Sequence, residues 1–473
     1  MDYCVQGVAG DCLNVGAQSE LELAIERLHA ATSFYTAEPI VDQLLDMLSW
    51  PQGDNRLVDP SCGDGAFLGA ALRRLLAIEP NVSDARVAYL LQGWEIHYFA
   101  AAEARTRLEQ ILVQHGRTPA CAQTIALGVV TQGDFLLQGP KTATWDCVAG
   151  NPPFLRYANL PAIIREEYER HLPDYSRGDV LHSFLGALAL VLNKGGEIAL
   201  VTSDRWLFTE NAAELRAIVG QRLGLRHLAR LDCASAFYRP KNRRSGQPPR
   251  IHPVAVVFTD AQSSDIALSR APIYPEADDS AYEGCSPLED VANVRLAPWL
   301  GKHGLFVVDQ ATAAAANIPV ELLIPAIDTD NTKGGVLSAP TKFAIRTFRN
   351  VEPPAEVLAH LDANMHLLAR TKQRTTQRWL PPETFERVDL TQESLLIPRI
   401  ANSLRPVRVP AGILPIDHGI SIVTAGARTL DQLEEALMRP ESEAWVRARA
   451  SRLENGYFSL TTKLLRSLPL RFD

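Results

Sequence analysis

Two hydrophobic periods alternate along this chain. Ser19-Glu20-Leu21-Glu22 reads as a capping box that opens a helix through about Ala31. A second helix is expected over residues 39–49, with apolar positions at Ile40, Leu44, Leu45 and Leu48. Short apolar runs then alternate with longer stretches of helical period. The runs at residues 56–60, 87–96, 125–132, 145–150, 197–202 and 254–259 read as strands. The stretches at 67–78, 99–115, 180–192 and 213–223 read as helices. The last strand is apolar almost without interruption, as a strand covered on both faces must be. Such alternation predicts an α/β fold, a doubly wound Rossmann-like sheet with helices on both sides.

The pattern changes after Asp260. Residues 261–294 are rich in Asp, Ser, Ala and Pro and read as a connection between a first domain, 1–260, and a second, 295–473. The second is expected to be α+β, with short strands at 395–400 and 419–423 and a helix at 430–438. A length of 473 residues suits two or three domains. No internal repeat occurs. No run of about 18 apolar residues is present, which excludes a transmembrane helix. The first 14 residues are acidic and broken by glycines, unlike a signal peptide. Seven scattered cysteines without a CxxC pair point to neither a disulfide framework nor a structural zinc site, and no metal is expected. A reducing cytoplasm is the expected setting.

The net charge of −8 argues against a generally basic nucleic-acid coat protein, but it is unevenly spread. Residues 1–50 carry eight acids and one base, a net of −7, whereas 201–250 carry ten bases and four acids, a net of +6. A local basic face on an acidic protein suits a phosphate backbone contacted at one surface.

Two constellations carry chemistry. The first is Asp59-Pro60-Ser61-Cys62-Gly63-Asp64-Gly65-Ala66-Phe67, in which an acid ends a strand and a small-residue turn leads into a helix. Gly63 and Gly65 let the backbone approach a ligand closely. About 30 residues on, Glu95 ends the next strand, where an acid can accept both hydroxyls of a ribose. The turn is not GxGxxG, so a small adenosine ligand fits better than a dinucleotide. The second constellation is Asn151-Pro152-Pro153-Phe154 at the carboxyl end of the strand 145–150. The Asn151 side-chain oxygen and the Pro152 carbonyl can accept the two hydrogens of an amino group. Two prolines stiffen the loop and remove two N–H groups. Phe154 offers a flat face for stacking a ring.

The two motifs, in this order and about 85 residues apart, resemble the S-adenosylmethionine-dependent DNA N6-adenine methyltransferases of the gamma class. The resemblance covers roughly residues 30–260. It implies S-adenosylmethionine as cofactor and double-stranded DNA as partner. Phe34-Tyr35-Thr36-Ala37-Glu38-Pro39 is similar to the N-terminal cofactor motif, with Thr36 near the methionine end. Asp59, Ser61, Gly63 and Gly65 would hold the methionyl amine and carboxylate. Glu95 would bind the ribose and Ile96 would pack on the cofactor's adenine. Asp134 matches the acid that takes the adenine amino group, with Phe135 its apolar neighbour. Asn151, Pro152 and Phe154 would form the catalytic loop. Phe237, or its neighbour Tyr238, would stack on a flipped-out target adenine opposite Phe154.

For DNA contact the resemblance points to Arg239, Lys241, Arg243 and Arg244 beside Phe237, and to Arg374 and Arg405 in a C-terminal target-recognition domain. Arg399 and Arg408 accompany Arg405 with no intervening acid. The role expected is modification within a restriction-modification system, with an endonuclease, if any, encoded separately. None of the eight lysines has an acid two residues before it, so the (D/E)xK half of a nuclease motif is absent. Alternatives left open are methylation of RNA or of a protein glutamine through the same loop, and a degenerate, non-catalytic DNA-binding module.

Overall fold

The computed structural model describes residues 9–238, 252–275, 277–368, 377–453 and 456–472, with backbone alone for 9–19 and 234. The chain divides into two compact units, residues 1–275 and 276–473.

The first unit opens with helix α1 (Ala9–Thr32), the two-residue strand β1 (Tyr35–Thr36) and α2 (Glu38–Asp46). Alternation then sets in: β2 (Leu57–Asp59), α3 (Ala66–Ile78), α4 (Asp84–Leu90), β3 (Leu91–Glu95), α5 (Tyr98–Gln114), α6 (Pro119–Val129) and β4 (Val130–Gln132). After α7 (Phe135–Gln138) come β5 (Trp145–Gly150), α8 (Ala162–His171), α9 (Val180–Val191), β6 (Leu192–Ser203), β7 (Leu223–Arg230), β8 (Phe237–Tyr238) and β9 (Pro253–Asp260). Seven strands form one sheet in the order β4-β3-β2-β5-β6-β9-β7. Neighbours from β4 through β6 are parallel, and β9 runs antiparallel between β6 and β7.

Side-chain alternation explains why helices cover both faces. Leu57, Cys147, Ala149, Ala199, Val201, Ala255 and Val257 join one core, with α2, α3, α5 and α6. Val58, Val148, Ile198, Leu200, Val254, Val256 and Phe258 point the other way, into a core with α8 and α9. Each strand residue therefore finds apolar cover whichever way it faces.

Three expectations are corrected. Residues 87–96 were expected as one strand, yet Asp84–Leu90 is helical because Ser83 caps it, accepting from the Arg86 N–H, and Val87 and Leu90 fall on one helical face. Residues 125–132 were expected as a strand. Thr118 caps and Pro119 starts a helix whose buried face is Ala122, Ile125, Ala126 and Val129, so strand begins only at Val130. β7 was not expected at all; Arg226, His227 and Arg230 mask its apolar alternation.

The stretch 261–294, expected as a connection, is divided between the units. Ile266 bridges Leu225, and Arg216 donates to the carbonyls of Arg270 and Ala271, all within the first unit. Ala292–Leu296 is already an edge strand of the second unit. That unit is α+β. One antiparallel sheet joins Ala292–Leu296, Gly419–Thr424, Ser394–Pro398 and Val407–Val409 in that order. A second joins Val307–Asp309, Lys342–Ile345, Leu323–Ile327 and Leu414–Pro415. The helices Leu430–Met438 and Pro440–Arg449 pack on the first of these through Leu433, Leu437 and Val446.

Candidate active site

The carboxyl ends of β2, β3 and β5 open into a cleft of about 860 Å³, its open mouth included. The sheet is what assembles it. Asp59 ends β2 and is fully buried, Glu95 ends β3 and is nearly so, and Asn151 follows β5. Asp134 follows β4 and caps α7, accepting the Leu136 N–H at 2.9 Å.

The turn after β2 is shaped by close contacts. Asp59 Oδ1 accepts the Ser61 N–H at 3.1 Å. Gly63 has φ +53° and donates its N–H to Glu95 Oε2 at 2.9 Å, while Glu95 Oε1 accepts the His97 N–H at 2.8 Å. A Cβ on Gly63 would stand 2.8 Å from the Tyr35 ring, and one on Gly65 would stand 3.0 Å from Ala104 of α5. Gly150 is equally constrained, since a Cβ there would come 2.6 Å from Asp59 Oδ1. Asp64 turns back to Arg107 of α5, Nη2 to Oδ2 at 2.6 Å, and also receives the Tyr238 hydroxyl.

Burial pushes Asp59 well above the usual carboxylate range, against the Ser61 N–H and with help from Glu95 and Asp64. Burial also raises Glu95, against the N–H groups of His97 and Gly63. Asp134 is raised by burial too, opposed first by the Tyr168 hydroxyl. Among the described residues, no lysine or arginine lines the cleft. Crowded, desolvated carboxylates disfavour a phosphorylated ligand and favour one that brings positive charge and hydrogen-bond donors.

Among the described residues, four buried oxygens in the cleft have no hydrogen-bond partner: Thr36 Oγ1, Ser61 Oγ, Asp64 Oδ1 and Asn151 Oδ1. The last is the most informative. Asn151 Nδ2 donates to the Phe34 carbonyl at 2.7 Å, which fixes the amide and turns its oxygen away as a bare acceptor. S-adenosylmethionine fits this set, because its ammonium, hydroxyls and amino group are the donors these oxygens and carboxylates lack.

Of the residues singled out in the sequence, Thr36, Asp59, Ser61, Gly63, Glu95 and Ile96 line the cleft. So do Asp134, Phe135 and Asn151. Gly65, Pro152, Phe154 and Phe237 lie outside the lining. Phe154 is half-buried against the α8–α9 core. Phe237 lies in β8, opposite Thr36 of β1, and its ring meets Phe34 at 6.2 Å between centroids. Tyr238 instead spends its ring on Tyr35, at 5.8 Å, and its hydroxyl on Asp64.

Arg239, Lys241, Arg243, Arg244 and Arg374 lie outside the described residues. Arg405 is exposed. Arg408 is not available as expected: Glu393, Asp431 and Glu434 surround it. Three arginines in the described part of the basic run are likewise engaged, with Arg226 paired to Glu197, Arg230 to Asp204, and Arg216 donating to four carbonyls.

The sequence did not reveal Phe34 as the partner of Asn151, nor Tyr168 of α8, which lines the cleft beside Asp134. It also missed His29 of α1, stacked on His97 at 3.7 Å, while His97 Nε2 meets Glu26 at 2.8 Å. These pairs join residues up to 117 positions apart, and no local motif signals them.

The chain is similar to several known proteins. Residues 124–237, which hold the Asn151 loop, match the Eco57I restriction-modification methylase family. The chain is 29% identical over 221 residues to the Type II methyltransferase M.PaeR7I of Pseudomonas aeruginosa, covering 45% of this chain and 38% of that relative. It is 22% identical to M.XhoI of Xanthomonas vasicola, over 92% of this chain and 90% of that one. Among solved structures, the Type IIL restriction-modification enzyme MmeI in complex with DNA shares the fold, with a TM-score of 0.59 at 14% identity, over 97% of this chain and 67% of MmeI. Residues 124–237 thus match an Eco57I restriction-modification methylase domain, and the chain is similar to Type II methyltransferases over most of its length.

Proposed function

We propose that the protein transfers a methyl group from S-adenosylmethionine to the N6 amino group of an adenine in double-stranded DNA. The observation that carries this reading is the bare, buried Oδ1 of Asn151 beside two prolines that donate no N–H. An acceptor held so is an unpaid cost in the free protein, and an incoming amino group offsets it. Asn151 Oδ1 and the Pro152 carbonyl would take the two N–H bonds and hold the nitrogen lone pair out of conjugation. An Asn at this place, rather than a Ser or an Asp, favours adenine over cytosine.

Asp59, with the turn from Ser61 to Gly65, would hold the methionyl end of the cofactor, and Thr36 would lie beside it. Glu95 would take the ribose, Ile96 and Phe135 the faces of the adenine, and Asp134 its amino group. Bound there, S-adenosylmethionine supplies an electrophilic methyl group. The protein's part is to hold the target amino group in line and to exclude water, with positioning giving most of the rate.

The target base must leave the duplex to reach the loop. Phe154 and Phe237 would stack on it. The engagement of Tyr238 with Asp64 and Tyr35 supports Phe237 as the second wall. The second unit would read the recognition sequence, with Arg405 among its DNA contacts. A restriction-modification setting in the cytoplasm, with any endonuclease on a separate chain, follows from the same reading.

The test is nucleoside analysis of DNA incubated with the protein and methyl-labelled S-adenosylmethionine. Label in N6-methyladenine is expected. Label in N4-methylcytosine, or in RNA or protein alone, would overturn the assignment.

A further inference from the structure

Arg156 and Arg205 stand at the carboxyl ends of adjacent strands. Arg156 lies two residues beyond Phe154 in the loop that leaves β5, and Arg205 opens the turn that leaves β6. In the sheet Gly150 of β5 sits opposite Leu200 of β6, so both loops rise from one edge. Arg156 forms an isolated antiparallel bridge with Asp179, and both arginines lie within electrostatic reach of that carboxylate. Asp179 is already committed, its Oδ1 accepting the N–H groups of Leu155 and Leu181 at 3.1 Å each. Asp204 is committed as well, to Arg230 at 2.9 Å.

Both arginines are exposed, and among the described residues neither guanidinium has an ion pair or a hydrogen bond. Other arginines of this unit do: Arg74, Arg86, Arg107 and Arg117 each meet an acid. Arg205 is held below its ordinary value by burial and then by the charge of Arg156, with Asp179 and Asp204 opposing. Two like charges within electrostatic reach of each other, on neighbouring loops, suit an anion, since one bound between them relieves their repulsion. Neither lines the cofactor cleft, so the cofactor's carboxylate is not that anion.

We propose that Arg156 and Arg205 together hold one backbone phosphate of the DNA strand that carries the target base, directly beside the Asn151-Pro152-Pro153-Phe154 loop. The inference rests on the reading of the protein as a DNA methyltransferase. It names a contact that anchors the target strand at the loop without reading sequence. Guanidinium forks suit a phosphate's paired oxygens, and lysine would supply the charge without the fork.

The experiment compares the full chain with R156Q/R205Q and R156K/R205K. Binding to a fluorescein-labelled, mixed-sequence DNA duplex is measured across a salt series in the presence of S-adenosylhomocysteine. The glutamine pair should bind about tenfold or more weakly, since hydrogen bonds to a charged group are lost. Its plot of log affinity against log salt should be flatter by about one unit. The lysine pair should restore the slope and only part of the affinity. S-adenosylhomocysteine should bind all three proteins alike, which also shows that the variants are folded. A duplex with methylphosphonates throughout the target strand should remove the difference between the unsubstituted chain and the glutamine pair. Equal DNA affinity and equal salt slope for the glutamine pair would overturn the phosphate site alone. A chain that binds cofactor but no DNA at any salt would overturn both the site and the reading beneath it.

Discussion

Replacing Asn151 with alanine should separate catalysis from stability, and the structure says by how much. The side chain makes one hydrogen bond, Nδ2 to the Phe34 carbonyl at 2.7 Å, and leaves Oδ1 buried and bare. Losing that hydrogen bond strips the Phe34 carbonyl of this donor, which costs about 1–3 kcal/mol. Removing a desolvated, unpaired acceptor returns about 1–3 kcal/mol. The variant should therefore fold within about 1 kcal/mol of the parent. Transfer should suffer far more, because an acceptor aimed at charge that develops in the transition state is worth about 10²–10³ in rate. Asn151→Asp is the informative contrast. It keeps shape and one acceptor, but sets a carboxylate oxygen against the Phe34 carbonyl with no hydrogen between them. It should lose about 1–3 kcal/mol of stability, more than alanine does. Urea unfolding gives the stabilities, single-turnover transfer gives the rates, and calorimetry with S-adenosylmethionine checks that the cofactor still binds. Turnover of the alanine variant within tenfold of the parent would refute the catalytic role. A stability loss above about 3 kcal/mol would instead make Asn151 a structural keystone and refute the balance drawn here.

Three further outcomes follow from the cleft. Because burial raises Asp59, Glu95 and Asp134, the free protein gains stability from each below its unfolded value and loses it as pH rises through the folded value. A bound ammonium needs Asp59 ionised, so S-adenosylmethionine should raise the melting temperature more as pH rises and should release protons on binding where Asp59 is protonated in the free protein; equal shifts without proton release would remove Asp59 from that role. Gly150→Ala should displace Asp59, weakening the cofactor in calorimetry and costing about 1–3 kcal/mol in urea unfolding, whereas normal cofactor affinity would show that the turn yields freely. Phe237→Ala should blunt the fluorescence rise of a 2-aminopurine placed at the target adenine, with a stacking loss of about 1–3 kcal/mol, while Tyr238→Phe should leave that signal intact; the reverse pattern would make Tyr238 the stacking residue.

Much of this site was legible because its motifs are local. The acid at the end of β2, the glycines after it and the Asn-Pro-Pro-Phe loop after β5 all lie where strand ends and turn chemistry predict. The strands buried on both faces were legible for the same reason, since β5 and β9 are apolar almost throughout. What escaped depends on partners far away in sequence. β7 hides behind Arg226, His227 and Arg230, two of which turn out to be ion-paired. Helices α4 and α6 were read through as strand, because each runs into its strand without an intervening loop. Charge counts misled in another way. Arg216, Arg226 and Arg230 swell the basic run, yet the fold uses them internally, and Arg408 is taken up by acids that lie 23 or more residues away in two of its three pairs. Arg156 drew no notice because it stands alone in the sequence, and Arg205 was counted in the basic run without being set apart from its ion-paired neighbours.

The acidity of the chain and its reading as a DNA enzyme are reconciled by where the charges lie. Among the described residues the cleft gathers buried carboxylates and no arginine or lysine, which suits a cationic cofactor. Arg156 and Arg205 stand outside it and exposed, which suits an anionic strand. Salt should tell the two apart. Charges in a desolvated cleft are poorly screened, whereas exposed ones are screened within about 10 Å at 0.1 M salt. Phosphate binding also releases counterions, so its affinity falls as a power of salt concentration. Raising salt fourfold from about 50 mM should therefore cost DNA affinity tenfold or more, and affinity for S-adenosylmethionine only about twofold. Parallel titrations of both ligands on one preparation would decide it. A cofactor affinity that fell as steeply as that for DNA would mean that the carboxylates of the cleft face solvent when they bind, and the argument from their burial to a cationic ligand would fail with it.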